Sequence, residues 1–139
     1  MIEVLHQHRK RRFSRKETLR TVALVLKRES QNPMHVSIVF TNDRYMQTVH
    51  GRFLQTRRTT DVMSFPLKDG MSIDGEVYVN LDQARRQSFR YGVPMSEEVR
   101  RLLIHGTLHL LGYRDATPRQ RARMKRKEDM FLNILGRAG

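Results

Sequence analysis

In a chain of 139 residues with 27 Lys and Arg, the stretch from Leu102 to Leu111 carries no basic residue except two histidines. It is apolar almost all round, so as a helix it has no face for water and must be buried by neighbours on several sides. Gly112 is placed to close it. The rest of the chain must therefore supply layers around this helix. A hydrophobic share of 38% is enough for such a core, so the chain is not a disordered basic tail. The length suits one core, and a single domain over residues 1–139 is expected. With no cysteine, disulfides, thiolate metal sites and a cysteine nucleophile are excluded. No apolar run approaches the roughly 18 residues of a membrane span. The N-terminal residues MIEVLHQHRKRRFSRK contain no apolar leader. A soluble, intracellular, cytoplasmic protein is the expected class.

The surrounding elements are legible from periodicity and caps. Ile2 to Leu5 reads as a short strand. Ser14 with Glu17 makes a capping box ahead of an apolar stripe of Leu19, Val22, Ala23 and Leu26. Pro33 breaks the chain, and Met34 to Phe40 alternates as a strand. Thr41, Asn42 and Asp43 offer N-caps to a helix carrying Tyr45, Met46, Val49 and Phe53. Asp61 to Phe65 and Gly75 to Val79 read as strands on either side of a turn-like stretch. Helices follow over about Leu81 to Tyr91 and from near Ser96. The last helix has Thr117 as N-cap, Pro118 at its first position, a stripe of Met124, Phe131 and Leu135, and Gly136 beyond its end. The order βαβαββααα predicts an α+β domain with helices over a sheet of about four strands.

Charge is unevenly placed along this order. Residues 1–30 hold nine basic and three acidic residues, a net of +6, and residues 81–139 hold thirteen and six, a net of +7. Residues 31–80 hold five of each and are neutral. A surplus of this size favours a polyanion through counterion release and steering. The bland reading is a solvated helix face, and charge alone names no reaction. Arg9-Lys10-Arg11-Arg12 resembles a localisation tag but belongs more naturally to a strand-to-helix connection.

Chemistry concentrates in Ile104 to Asp115. His105 and His109 are one helical turn apart and project from one face, the spacing of two ligands to one metal ion. After the turn at Gly112, Asp115 can add a carboxylate oxygen. Three protein ligands leave a position for water, the arrangement of a catalytic rather than a structural zinc, and zinc brings the pKa of that water toward neutrality. The competing reading is a pair of core histidines satisfied by backbone carbonyls. Gly106 stands where an H-E-x-x-H metalloprotease has its general base, so peptide hydrolysis by that route is disfavoured.

His105-Gly106-Thr107-Leu108-His109-Leu110-Leu111-Gly112-Tyr113-Arg114-Asp115 resembles the HGxLHLxGYDH signature of the YbeY-type endoribonucleases, bacterial rRNA maturation factors. Thr60 to Pro66 is similar to the family's TDVLSFP block, and Gly75 to Val79 to the strand that follows it. The resemblance implies a small mixed sheet with helices and one zinc ion on the buried helix. It also implies cleavage of single-stranded RNA in small-subunit (16S) rRNA 3′-end maturation and ribosome quality control. The family's third histidine falls at Asp115, a harder ligand that makes another divalent metal easier to accommodate. The family's functional arginine falls at Leu54, and the Asn four residues earlier reads His50. Arg52, Arg57 or Arg58 then becomes the candidate to stabilise charge on the phosphoryl oxygens. The alternative is a ribosome-associated RNA-binding factor whose metal is structural. A third, weaker reading is a metal-dependent hydrolase of a peptide or small molecule.

Overall fold

The structure, a computed structural model, describes residues 1–30, 32–54, 60–67 and 74–138. Its elements run β1 (Ile2–His6), α1 (Arg15–Glu29), β2 (Val36–Thr41), α2 (Asp43–Leu54), β3 (Val62–Pro66), β4 (Gly75–Asn80), α3 (Leu81–Tyr91), α4 (Met95–Leu110) and α5 (Pro118–Ala138). This is the expected order in an α+β arrangement. The strands form a four-stranded mixed sheet in the order β1-β2-β4-β3. β1, β2 and β4 are parallel, with Val4 opposite Ile38 and Ile38 opposite Val77. β3 runs antiparallel on the outer side of β4, with Val62 opposite Val79. Every residue of β2 is buried, as a central parallel strand requires.

α4 is the helix that the other elements surround. Leu102 and Leu103 join Val22, Ile38, Phe40 and Val77 in one apolar cluster at the sheet. Ile104 and Leu108 point into a second cluster with Val25, Met124, Phe131 and Leu135, built with α1 and α5. One helix thus serves two cores, which is why its sequence is apolar on most sides.

Caps fix the element ends. Ser14 Oγ accepts from the Glu17 N–H at 3.1 Å, while the Glu17 carboxylate lies 3.5 Å from both Arg20 and Arg100. At the start of α5 the Gln120 N–H donates to Thr117 Oγ1 and the Gln120 side chain accepts from the Thr117 N–H, each at 3.1 Å. β2 begins at Val36 rather than Met34, because His35 pairs with Asp74, whose carboxylate accepts from the His35 N–H at 2.9 Å. The expected end of α5 is corrected: Gly136 lies inside the helix, which continues to Ala138. Leu135 is buried beside it, and a helical glycine costs only about 1 kcal/mol, less than the packing that holds this turn. Arg9 to Arg12 do connect β1 to α1, and Arg11 Nε there donates to Asp82 at 3.1 Å.

Candidate metal centre

Two features of α4 place its histidines. Gly106 lies between them, and a Cβ there would stand 2.5 Å from Val77 Cγ1 and 3.1 Å from Val62 Cγ2. The missing side chain therefore lets the helix lie directly on β3 and β4. Ser64 Oγ donates to the Gly106 carbonyl at 2.8 Å and fixes that contact. Gly106 is thus a packing residue, which accounts for the absence of a glutamate at this position. The helix then ends in a Schellman motif: the Tyr113 N–H reaches the Leu108 carbonyl at 3.0 Å and the Gly112 N–H that of His109 at 3.1 Å. Gly112 adopts φ +98°, which an L side chain rarely adopts. The chain reverses there and brings Asp115 back over the helix.

The three candidate ligands meet. His105 Nε2 and His109 Nε2 are 3.1 Å apart, and Asp115 Oδ2 lies 3.2 Å from the first and 3.3 Å from the second. Ligand atoms about 2.0 Å from a tetrahedral ion are about 3.3 Å from one another, so this near-equilateral triangle is one face of such a site. Two imidazoles and a carboxylate suit a borderline divalent cation. All three groups are partly exposed, so the remaining face of the triangle is open.

A fourth carboxylate stands behind the first histidine. Glu128 Oε2 is 2.6 Å from His105 Nδ1, an arrangement that places the proton on Nδ1 and frees Nε2 for a metal. Arg101 donates to Glu128 Oε1 at 2.9 Å and to Asp129 at 2.8 Å, so the supporting carboxylate is itself held. Burial opposes a charged His105, but the Glu128 hydrogen bond and the charges of Glu128, Asp115 and Asp61 outweigh it and raise its pKa in the metal-free protein. Nearby, burial pushes the Glu98 carboxyl up even though the Gln87 amide donates to it at 2.7 Å. The ligand loop is anchored to α1, because the Tyr113 hydroxyl donates to Glu29, which Lys127 also holds at 2.9 Å.

His105 and Asp115 line two clefts at once. One, of about 430 Å³, runs along β3 from Thr60 to Phe65. The other, of about 470 Å³, opens between α5 and the end of α3. Of the candidate arginines, Arg52 lies on α2, while Arg57 and Arg58 fall outside the described residues. Leu54, in the slot of the family arginine, is the last residue of α2. Glu128 is the residue that sequence reasoning missed. Its signal was present: it interrupts the stripe of Met124, Phe131 and Leu135 at helical spacing, a charge on the dry face of α5 that needs a partner from another element.

Comparison with known proteins agrees with this geometry. Endoribonuclease YbeY of Chlorobium phaeovibrioides is 36% identical over 132 residues, 95% of this chain and 89% of the relative. That of Salinibacter ruber is 31% identical over 143 aligned residues, 96% of this chain and 91% of the relative. A solution structure from Thermotoga maritima superposes with a TM-score of 0.64 at 22% identity, covering 95% of this chain and 87% of that one, which shows the shared fold. The family profile described as Endoribonuclease YbeY matches residues 3–136, and with the histidine signature, the mixed sheet and the candidate-ligand triangle in place, the chain belongs to that family.

Proposed function

We propose that this protein is a metal-dependent endoribonuclease that cuts single-stranded RNA, acting in the cytoplasm on the ribosome in small-subunit (16S) rRNA 3′-end maturation and quality control. The observation that carries the reading is the triangle of His105, His109 and Asp115 in a chain of this family. A divalent ion, with zinc the first candidate, would be held there and would supply Lewis acidity and an acidified water. His105 and His109 fix that position from a rigid buried helix, and Asp115 adds a negative charge to it. Glu128 keeps the His105 ring oriented. A guanidinium from Arg52, Arg57 or Arg58 is proposed to stabilise charge building on the phosphoryl oxygens. The basic segments at either end of the chain hold the RNA by its phosphates, contacts that position without reading sequence.

The reading with a structural metal fits less well. Structural sites close around the ion with four protein ligands, whereas these three partly exposed groups line one cleft together and two of them, His105 and Asp115, line a second.

The test is metal analysis and RNA cleavage on the same preparations. The wild-type protein should bind one divalent ion and cut a single-stranded oligoribonucleotide. Asp115→Ala should lose most of the metal and the cleavage while keeping its helical spectrum. Metal-loaded protein that leaves RNA intact, with Asp115→Ala unchanged in metal content, would reject the proposal.

A further inference from the structure

A cleft beside the candidate metal centre opens between α5 and the end of α3. His105 and Asp115 line its inner part. Tyr91, the last residue of α3, lines the same cleft and is 59% exposed. Gly92 ends the helix immediately afterwards with φ +65°, so the ring sits where the chain turns away. On the α5 side the cleft is lined by Arg121 and Lys125, one helical turn apart. Arg121 Nη1 donates to the Ala116 carbonyl at 3.0 Å, which braces its guanidinium beside the ligand loop. Lys125 is largely exposed and lies 3.5 Å from Asp129.

Of the four carboxylates lining the cleft, Asp115 faces the two histidines, Glu97 lines the wall beside Arg101, and the other two are hydrogen-bonded within the protein. Glu128 is bonded to His105 and Arg101, and Glu98 accepts from Gln87. An exposed aromatic face and two cations therefore flank the candidate ligands, with Val93 and Met124 as apolar lining between them. A volume of about 470 Å³ accommodates a nucleotide. Stacking on an aromatic ring together with phosphate pairing is the chemistry by which single strands are held without sequence preference. A duplex, whose bases are already stacked on one another, cannot offer a free face to Tyr91.

We propose that this cleft is a nucleotide subsite in which one unpaired base of the RNA stacks on Tyr91 while an adjoining phosphate is held by Arg121 and Lys125. The proposal rests on the endoribonuclease reading and adds to it a physical source of preference for single strands.

The experiment is equilibrium binding of a fluorescent 12-nucleotide single-stranded RNA to the metal-loaded protein, with metal content measured on every variant. Tyr91→Ala should weaken binding roughly 5- to 150-fold. Tyr91→Phe should restore most of it, because the ring face is what binds. Lys125→Gln should weaken binding and lower the slope of log affinity against log salt by about 0.7. Metal content should not change in any of the three. RNA binding by the wild type that Tyr91→Ala and Lys125→Gln leave unaltered would overturn the subsite alone. A metal-loaded wild type that binds no RNA would overturn the endoribonuclease reading as well. An equal loss of duplex and single-strand binding in Tyr91→Ala would also reject the stacking role.

Discussion

Glu128 shows how much one side chain contributes from behind a candidate ligand. Its carboxylate is buried in an apolar stripe, a costly position unless it is paired. It is paired twice, to His105 at 2.6 Å and to Arg101 at 2.9 Å. Removing an outer carboxylate of this kind typically lowers metal affinity by about 10- to 100-fold. Glu128→Ala is expected to fall in that range, with Glu128→Gln retaining more affinity because its amide oxygen still accepts from Nδ1. Competition with a chelating dye measures this without reference to cleavage. An unchanged affinity in Glu128→Ala would show that His105 does not depend on it. The histidine spacing was readable in the sequence, and so was the possible reach of Asp115. For Glu128 the sequence showed a charge on an apolar face but not its partner, because the pair joins residues 23 apart on two different helices.

At the scale of an element, α4 depends on how closely it can lie on the sheet. Ala is the better helix former by about 1 kcal/mol, so Gly106→Ala should stabilise an isolated helix. In the protein the new methyl would meet Val77 Cγ1 at 2.5 Å and Ser64 Oγ at 3.2 Å. Overpacking of this kind costs about 1–3 kcal/mol, more than the propensity gain at the upper end. Gly106→Ala is therefore expected to lower the urea midpoint, and with α4 displaced it should also weaken metal binding. A higher midpoint would mean that the sheet yields more easily than this contact implies. Sequence reading correctly gave α3 its bounds and α4 its burial, since both follow from local periodicity and caps. It placed Gly136 outside α5 because glycine is a good stop signal, yet the packing of Leu135 carries the helix past it.

Across the whole molecule, the β1–α1 connection and the start of α2 converge on the start of α3. Asp82 accepts from His8 at 2.6 Å, from Arg11 at 3.1 Å and from the Asp43 N–H at 3.1 Å. Asp43 in turn pairs with Arg86 at 2.7 Å and accepts from Asn80 at 2.8 Å. Burial works against the charge on Asp82, but these donors prevail and hold its carboxyl below the ordinary value; for Asp43 the Arg86 hydrogen bonds lead in the same direction. A carboxyl depressed in the folded state contributes stability that is fully present above its unfolded pKa of about 3.9. That contribution is lost as pH falls through the folded value. Stability should therefore decline below about pH 4, and Asp82→Asn should flatten the decline while lowering stability at neutral pH. Urea midpoints between pH 3 and 7 test this, and an identical acid slope in the variant would remove Asp82 from the account. Glu98 has the opposite sign, since burial raises its carboxyl and its ionisation as pH rises works against the fold.

The sequence by itself determined the order of elements, the buried character of α4, the one-turn spacing of His105 and His109, and the signature that marks the family. These are local properties, written in periodicity, caps and motif, and they need no knowledge of which elements touch. The tertiary structure decided what those elements meet. It brought Asp115 to within 3.3 Å of both histidines, set Glu128 behind one of them and placed Tyr91 on the same cleft. Each of these depends on the angle and depth at which helices pack, which is fixed by side-chain volumes across the core and not by spacing along the chain.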